Sequence, residues 1–340
     1  MTLTRTAVRV LATTALTAAV AGGALAAAGP AAADPWVTWS VITDATPGGV
    51  ISTRPYAGTI GSTTPRPLAA ADRALAVDAS ANGRVVAYVT QLKVAGRDRA
   101  RRGLTVLVAG RARTVLTGGV SGRPDVSVDG RYVTFGRTNG SVSRYDVRTR
   151  AITRLCRACT GFPTGGDLPG QVANVALSPD TRHVAVWGWT DGDAEALSIY
   201  RTRDGRRVAI DRFGEGEPDI TMSWTTDSRQ VAYAAIAPYD PSSPQMAWTT
   251  ALLGIDGKAG TTAIRSSGSA RLSGPMRLGG AWWYVRTAGV APTAKIATVM
   301  RTTSLQRQPT VVGTVRVNRL SGYPYVGNWS LTSRRPAALP

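Results

Sequence analysis

Short apolar stretches that alternate with polar residues recur along most of this chain, and turn-forming residues separate them about every ten positions. Alternation with a period of two is typical of strands that bury one face. The sequence lacks stripes with the 3.6-residue spacing of an amphipathic helix. The pattern therefore predicts an all-β protein.

One turn recurs four times in register, each time before an apolar strand. Its copies are Ser80-Ala-Asn82-Gly83-Arg84, Ser127-Val-Asp129-Gly130-Arg131, Ser178-Pro-Asp180-Thr181-Arg182 and Thr225-Thr-Asp227-Ser228-Arg229. The final arginines lie 47, 51 and 47 positions apart. Hydroxyl and carboxylate side chains can bond nearby backbone N–H groups, and glycine suits the left-handed geometry of a tight hairpin. A period of this length predicts a radial array of small sheets.

The third copy indicates how one repeat forms four strands. We expect strands over residues 174–177, 183–189, 196–201 and 207–211. A weaker fifth copy begins at Arg271, and the same opening returns at Arg319, after which the chain has room for two inner strands only.

The two ends of the chain are expected to complete a sixth sheet. Residues 35–70 contain extended segments without the recurring turn, so we predict that they join residues 319–333 in one composite blade. A closed ring leaves only short outer edges exposed. We therefore predict a six-bladed β-propeller of four-stranded antiparallel blades over residues 34–340, with repeats starting near 76, 124, 173, 220 and 269.

The stretches VALSPDTRHVAVW, VSVDGRYVTF and SANGRVVAYV resemble the Ser-Pro-Asp-Gly-Lys/Arg repeat of the TolB-like β-propellers, relatives of the WD-repeat class. The resemblance covers about residues 76–290 directly. It implies the propeller fold and leaves activity open, because members include binding modules and the propeller domains of some peptidases and polysaccharide lyases. The chain departs from the motif at Thr181 and Ser228, where glycine is usual.

Residues 1–33 have the features of a secretory signal peptide. Arg5 and Arg9 precede an Ala/Leu/Val run, and Ala31-Ala-Ala33 matches a small-residue cleavage site. The alternative is a membrane anchor, but glycines and a proline interrupt the run before it reaches ~20 apolar residues. We expect a secreted monomer, free or associated with the cell envelope, without a transmembrane segment after signal removal.

The composition is strongly basic. Lys and Arg number 40 against 21 Asp and Glu, and the net charge of +19 falls to +17 when residues 1–33 are removed. Arg97, Arg99, Arg101 and Arg102 crowd one segment, which we place in a loop between two strands of a blade. Guanidinium groups suit anionic partners; an ordinary solvated surface is the alternative. No nucleic-acid-binding module is apparent, so specific nucleic acid is not an expected partner.

The two cysteines form the segment Cys156-Arg-Ala-Cys159. In an exported protein a local disulfide is the favoured interpretation. A redox pair is the alternative, but such pairs begin a helix in a strand–helix–strand unit, and no helical pattern follows Cys159.

Groups for catalysis or metal binding are sparse. The chain has one histidine, His183, and no G-x-S-x-G segment, so neither a hydrolase triad nor a histidine-rich metal cluster is indicated. Asp191, Asp193 and Glu195 are weak candidates for an oxygen-bound cation, with solvated hairpin turns as the alternative. We expect no cofactor.

Nine tryptophans are most simply interpreted as fillers of the wedges between blades. Trp187 and Trp189 share one face of a predicted strand and are the candidates for an alternative role, a carbohydrate-stacking platform.

Taken together, these features favour an exported, non-catalytic propeller that binds a protein or an anionic cell-envelope polymer through loops at one end of the ring. The alternative is a propeller enzyme, a lyase or hydrolase, with its site in the central channel. Polar side chains converging on the channel would favour the enzyme, and a plugged apolar channel would favour the binding module.

Overall fold

All regular elements that the structure describes are β-strands. The structure is a computed structural model that describes residues 35–44, 52–64, 66–68, 74–92, 101–159, 172–189, 195–212, 221–236, 248–266, 271–287, 296–317 and 326–337. These ranges contain no helix that is long and apolar enough to cross a membrane. The predicted signal peptide lies outside them.

The first three strands belong to the composite sheet, which we name the closing blade, and blades 1 to 3 follow. The closing blade contains β1 (Trp36–Asp44), β2 (Ser52–Thr59) and β3 (Arg66–Pro67). Blade 1 contains β4 (Ala74–Ala79), β5 (Val85–Leu92), β6 (Arg101–Val108) and β7 (Arg111–Leu116). Blade 2 contains β8 (Val120–Val126), β9 (Tyr132–Arg137), β10 (Val142–Asp146) and β11 (Ile152–Cys156). Blade 3 contains β12 (Val172–Leu177), β13 (His183–Trp189), β14 (Glu195–Arg201) and β15 (Arg207–Arg212).

Two further blades and a final strand complete the described chain. Blade 4 contains β16 (Met222–Trp224), β17 (Gln230–Ile236), β18 (Trp248–Gly254) and β19 (Ala259–Ser266). Blade 5 contains β20 (Arg271–Leu278), β21 (Ala281–Thr287), β22 (Ile296–Thr302) and β23 (Thr310–Arg316). The last strand, β24 (Val326–Thr332), pairs with β1, so the closing blade has the order β24-β1-β2-β3. Strands from both ends of the chain therefore share one sheet, as the sequence predicts.

The division of the closing blade differs from the prediction in one respect. The C-terminal repeat was expected to supply two inner strands, but within the described residues it supplies one, β24; β1 lies between β24 and β2 and pairs with both. β1 fits that place because Val37 and Trp39 are fully buried in a cluster with Trp329 and residues of blade 5. The segment Arg319–Gly322 lies outside the described residues.

The innermost strand of each blade, which is β24 in the closing blade, faces the centre of a ring. β24 lies beside β4, and the series continues through β8, β12, β16 and β20 back to β24. An apolar cluster fills each wedge between neighbouring blades. Buried rings such as Trp187, Trp282 and Trp283 belong to these clusters, as expected for wedge fillers. The arrangement is that of a β-propeller, which confirms the predicted fold.

The recurring turn is held by its own side chains. In its second copy the Ser127 hydroxyl donates to the Asp129 carboxylate at 2.7 Å, and the N–H of Arg131 donates to the same oxygen at 3.0 Å. The N–H of Tyr132 donates back to the Ser127 hydroxyl at 2.9 Å. The other three copies repeat this pattern. The turn thus forms from local sequence alone.

The fourth position of the turn adopts a left-handed backbone in every copy. The φ angles are 69° at Gly83, 75° at Gly130, 61° at Thr181 and 59° at Ser228. The two departures from glycine therefore leave the turn geometry intact. A residue with a Cβ is strained in this region, so Thr181 and Ser228 carry a cost that the glycines avoid.

Replacing Thr181 by glycine is expected to stabilise the protein by about 1 kcal/mol, because the strain disappears. Ser228→Gly is the matched control: it relieves the same strain but removes the Oγ that accepts the N–H of Asp180 at 3.1 Å, so its net effect should be smaller. Denaturant unfolding measures both changes. A Thr181→Gly variant no more stable than the parent would contradict the strain argument.

Candidate functional site

The recurring turns lie together at one end of the ring. β8 and β12 pair in parallel, so the inner strands run in one direction and the turns that follow them meet at one end. The N–H of Ala81 in one turn donates to the carbonyl of Val128 in the next at 3.2 Å. Turns between third and fourth strands reach the same end, since the N–H of Ala109 donates to the carbonyl of Arg84 at 2.9 Å. We name this end the turn face.

Exposed cations dominate the turn face. Those in its turns and in the C-terminal segment beside them are Arg84, Arg131, Arg148, Arg150, Arg182, Arg203, Arg206, Arg229, Lys258, Arg307, Arg334 and Arg335. Aspartates of the same turns are Asp129, Asp146, Asp180, Asp204, Asp227 and Asp256. Among the described residues these twelve cations exceed the six carboxylates by six charges, so this end of the ring attracts anions.

The carboxylates of the turn face are already engaged by the turns themselves. The Thr225 hydroxyl, followed by the N–H of Arg229, lowers the pKa of Asp227 by hydrogen bonding. The Arg201 side chain lowers the pKa of Asp204 in the same way. By contrast, Arg84 and Arg229 make no ion pair within the described part of the chain. Guanidinium groups therefore remain for an external anion.

The arginine segment singled out from the sequence lies elsewhere. Arg101 and Arg102 begin β6, where they pair with Leu92 and Gln91, instead of lying in a loop. β5 starts at the turn face, so its last residues and these two arginines are at the opposite end of blade 1. Arg102 is exposed. Arg97 and Arg99 lie outside the described residues, and their role in anion binding stays a prediction.

The carbohydrate-stacking interpretation loses one of its two residues. Trp187 is 1% exposed and packs in the wedge between blades 3 and 4, so its ring cannot meet a glycan. The physical reason is that the face of β13 that carries Trp187 is turned toward blade 4. The side chain of Trp189 lies outside the described residues.

The weak metal candidates also fall largely outside the described part of the chain. Asp191 and Asp193 are not described, and neither is the side chain of Glu195. Among the side chains that are described, no group of three or more His, Cys, Asp or Glu residues could hold a metal ion.

Cys156 and Cys159 lie at disulfide distance, with their Cα atoms 5.9 Å apart and both side chains buried. The N–H of Cys159 donates to the carbonyl of Gly140 at 2.9 Å, and its carbonyl accepts the Tyr200 hydroxyl. The pair therefore closes a short loop that packs in the wedge between blades 2 and 3. Such a bond acts as a local staple and contributes little on the chain-entropy estimate, at most about 2 kcal/mol.

A cavity of about 370 Å³ lies on the axis of the ring, among the inner strands. Met222, Met276 and Trp224 contribute apolar wall to it. Val128 and Pro179 line it at the level of the turn face. As far as the described residues line it, the channel is thus neither filled nor uniformly apolar, because ionisable side chains also reach it.

Three ionisable residues form a network at the cavity. The Arg123 guanidinium donates to the Asp78 carboxylate at 2.9 Å and also to the carbonyl of Trp329. Asp78 additionally accepts the N–H of Val126 at 2.7 Å. Since Asp78 lies on β4, Arg123 on β8 and Trp329 on β24, one buried guanidinium joins blade 1, blade 2 and the closing blade.

The third member of the network, Asp125, accepts the N–H of Leu177 from blade 3 at 2.9 Å. Burial, and next the Asp78 carboxylate, raise the pKa of Asp125 to about 7. Burial also raises the pKa of Asp78, against the opposing effect of Arg123. One guanidinium cannot neutralise two buried carboxylates. Asp125 is therefore partly protonated near neutral pH.

Sequence reasoning did not identify this network, although a signal was present. Asp78 and Asp125 each stand two residues before the serine of a recurring turn, and Arg123 stands four residues before it. These are strand positions at which the pattern predicts burial. Comparing the repeats at these positions would have indicated ionisable groups on the axis.

Replacing Asp125 by asparagine is expected to flatten part of the pH dependence of stability. The folded-state pKa of about 7 lies above the unfolded value, so the native state holds the extra proton between about pH 4 and 7. Stability therefore falls as pH rises through that window, and Asp125→Asn should be more stable than the parent by about 2 kcal/mol at pH 8 after discounting for partial exposure. At pH 4 the two proteins should match. Equal denaturation curves at pH 8 would contradict the assignment.

Comparisons with known proteins support the fold. No protein-family model matches the chain, and no curated protein sequence matches it. Among solved structures, TolB from Acinetobacter baumannii is 15% identical with a TM-score of 0.53, and the match covers 89% of this chain and 67% of that one. The β-propeller domain of the Trilobed protease from Pyrococcus furiosus is 12% identical with a TM-score of 0.47, covering 70% and 71%. An acylaminoacyl peptidase from Pyrococcus horikoshii is 12% identical with a TM-score of 0.48, covering 70% and 39%. The likeness to TolB shows a TolB-like β-propeller fold and no activity.

Proposed function

We propose that this TolB-like β-propeller is an exported, non-catalytic binding module that recognises an anionic partner, a cell-envelope polymer or an acidic protein surface, through the turn face. The observation that carries the proposal is the excess of exposed cations there, beside carboxylates that the turns already engage. Planar guanidinium forks suit phosphate and carboxylate groups. Export is supported by the sequence of residues 1–33 and by the buried cysteine pair.

The turn face is a preorganised platform. Each recurring turn is fixed by its own hydrogen bonds, and neighbouring turns bond to one another. Tyr132 adds rigidity because the guanidinium carbons of Arg131 and Arg144 lie 4.8 and 4.4 Å from its ring centre. Stacked guanidinium groups keep their N–H edges open to an anion. A partner that binds here orders little protein, so most of the electrostatic attraction is retained as affinity.

One observation supports the enzyme alternative. The pKa of Asp125 in the axial cavity is raised, which suits a general acid or base. Catalysis also needs a partner group free to act on a substrate. Arg123 is committed to Asp78 and to the carbonyl of Trp329. His183 is not among the residues that line the cavity; its ring centre lies 6.2 Å from that of Trp224, and burial lowers its pKa. Ionisable groups that converge on the channel are the feature expected of the enzyme, and the proposal of a binding module rests on the turn face.

Binding of the secreted form to immobilised polyphosphate over a salt series tests the proposal. We expect the logarithm of the binding constant to fall linearly with the logarithm of salt concentration, with a slope of about −3 or steeper if four or more anionic groups are contacted. Uncharged dextran is the control matrix. An acidic protein that binds where polyphosphate does not would select the protein partner. If neither polyphosphate nor the acidic protein retained the secreted form at low ionic strength, the proposal would be refuted.

A further inference from the structure

The axial cavity is a second candidate site, separate in chemistry from the turn face. Its volume of about 370 Å³ lies within the range of small-molecule pockets. The walls combine apolar side chains, among them Met222, Met276 and Trp224, with a few ionisable groups. A pocket of this composition favours a ligand that joins a polar or charged group to an apolar part.

The charges around the cavity leave one carboxylate without a cation. Arg123 is held by Asp78 and by a backbone carbonyl. Arg277 also lines the cavity, but its guanidinium carbon stacks 4.6 Å from the ring centre of Trp282 in the next strand. Asp129 lines the cavity at the turn face, where it accepts hydrogen bonds within its own turn. Asp125 makes no ion pair in the described part of the chain.

We propose that the axial cavity binds a small organic cation, an ammonium or guanidinium group on a short apolar chain, with the Asp125 carboxylate as its counter-ion. The N–H of Leu177 holds one oxygen of Asp125 in place at 2.9 Å, and the other oxygen is left to accept an N–H of the ligand. The methionine and tryptophan walls would enclose the apolar chain, since thioether and aromatic groups pack well against alkyl groups.

The protonation of Asp125 gives this site a pH dependence. Its pKa of about 7 means that a proton occupies the carboxylate at acidic pH, so cation and proton compete for the same group. Asp78, Asp129, Arg123 and Arg277 are the other charged groups that face the cavity. The neighbouring Asp78 carboxylate favours any cation there, whereas the two arginines oppose it. Binding should therefore be weak, in the millimolar range, and restricted to pH above about 7.

Calorimetric titration with n-butylammonium and n-butylguanidinium tests the proposal, with n-pentanol as the uncharged probe of similar size. At pH 8 we expect at least one cation to bind and the alcohol to bind at least tenfold more weakly. At pH 5.5 the cation affinity should fall by about tenfold or more. Absence of binding by both cations at 50 mM, or equal affinity at the two pH values, would overturn the proposal.

Asp125→Asn should reduce the cation affinity at least tenfold while keeping the acceptor for Leu177. Arg84→Gln with Arg182→Gln, at the turn face, should leave it within about twofold, which separates this site from the proposed polyanion surface. If Asp125→Asn does not fold, proton release from the wild-type protein replaces it: titration at pH 7 in buffers of different ionisation enthalpy should show release of about half a proton per ligand. Undiminished affinity in a folded Asp125→Asn protein, or no proton release, would contradict the proposal.

Discussion

Replacing Arg123 by methionine is expected to lower the free energy of unfolding by about 3–5 kcal/mol at pH 7. The guanidinium is buried, and its loss leaves the buried Asp78 carboxylate without its cation at 2.9 Å. The carbonyl of Trp329 also loses a donor. Because these groups belong to blade 1, blade 2 and the closing blade, the loss falls on the junction at which the two ends of the chain close the ring.

Two controls separate this effect from a general loss of charge. Arg131→Met breaks an exposed pair, in which Nε lies 3.4 Å from Asp146, and should change stability by less than about 1 kcal/mol. Combining Arg123→Met with Asp78→Asn removes the stranded charge and should recover much of the lost stability. Denaturant unfolding of the four proteins gives the values. If Arg123→Met lowered the free energy of unfolding no more than Arg131→Met does, the axial network would not stabilise the closure of the ring.

Replacing the four arginines of the recurring turns by glutamine is expected to weaken polyphosphate binding by about 100-fold or more at low salt. The variant carries Arg84→Gln, Arg131→Gln, Arg182→Gln and Arg229→Gln. Each exposed guanidinium that contacts an anionic group releases a counterion, so four losses act together. The turns should keep their shape because their hydrogen bonds use the backbone N–H of each arginine, not its side chain.

A control with the same charge change distinguishes a specific surface from overall basicity. Exposed arginines near the strand ends remote from the turn face are Arg212, Arg265, Arg286 and Arg316. Their replacement by glutamine lowers the net charge equally and should reduce affinity by less than about tenfold. Fluorescence anisotropy with labelled polyphosphate measures both variants. Equal losses would mean that only the net charge of the protein matters.

The fold could be predicted because its strongest signal is local. Each recurring turn closes through side chains within five or six residues, so the sequence of one copy suffices to specify it, even where Thr181 or Ser228 replaces glycine. The composite blade could also be predicted, because the repeats leave one segment at each end of the chain unassigned. Its internal division was not, because the place of β1 between β24 and β2 depends on how Val37 and Trp39 pack against blade 5, far away in sequence.

The candidate sites depend on distances between blades, which sequence patterns do not give. Asp78 and Arg123 are 45 positions apart and meet only because neighbouring inner strands lie side by side. Alternation correctly places Trp187 on one face of β13, but it does not say that this face is the wedge and not the solvent. Likewise, clustering in sequence drew attention to Arg97–Arg102, whereas the turn face collects arginines from separate repeats.

Arginine-specific modification of the wild-type protein by phenylglyoxal, with and without polyphosphate, tests most directly whether the turn face is the binding surface. Mass spectrometry reads the modification of each arginine. We predict that polyphosphate protects Arg84, Arg182 and Arg229, while Arg212, Arg265 and Arg316, at the far ends of the outer strands, react as before. Protection of the outer-strand arginines with continued reaction at the turn face would contradict the account.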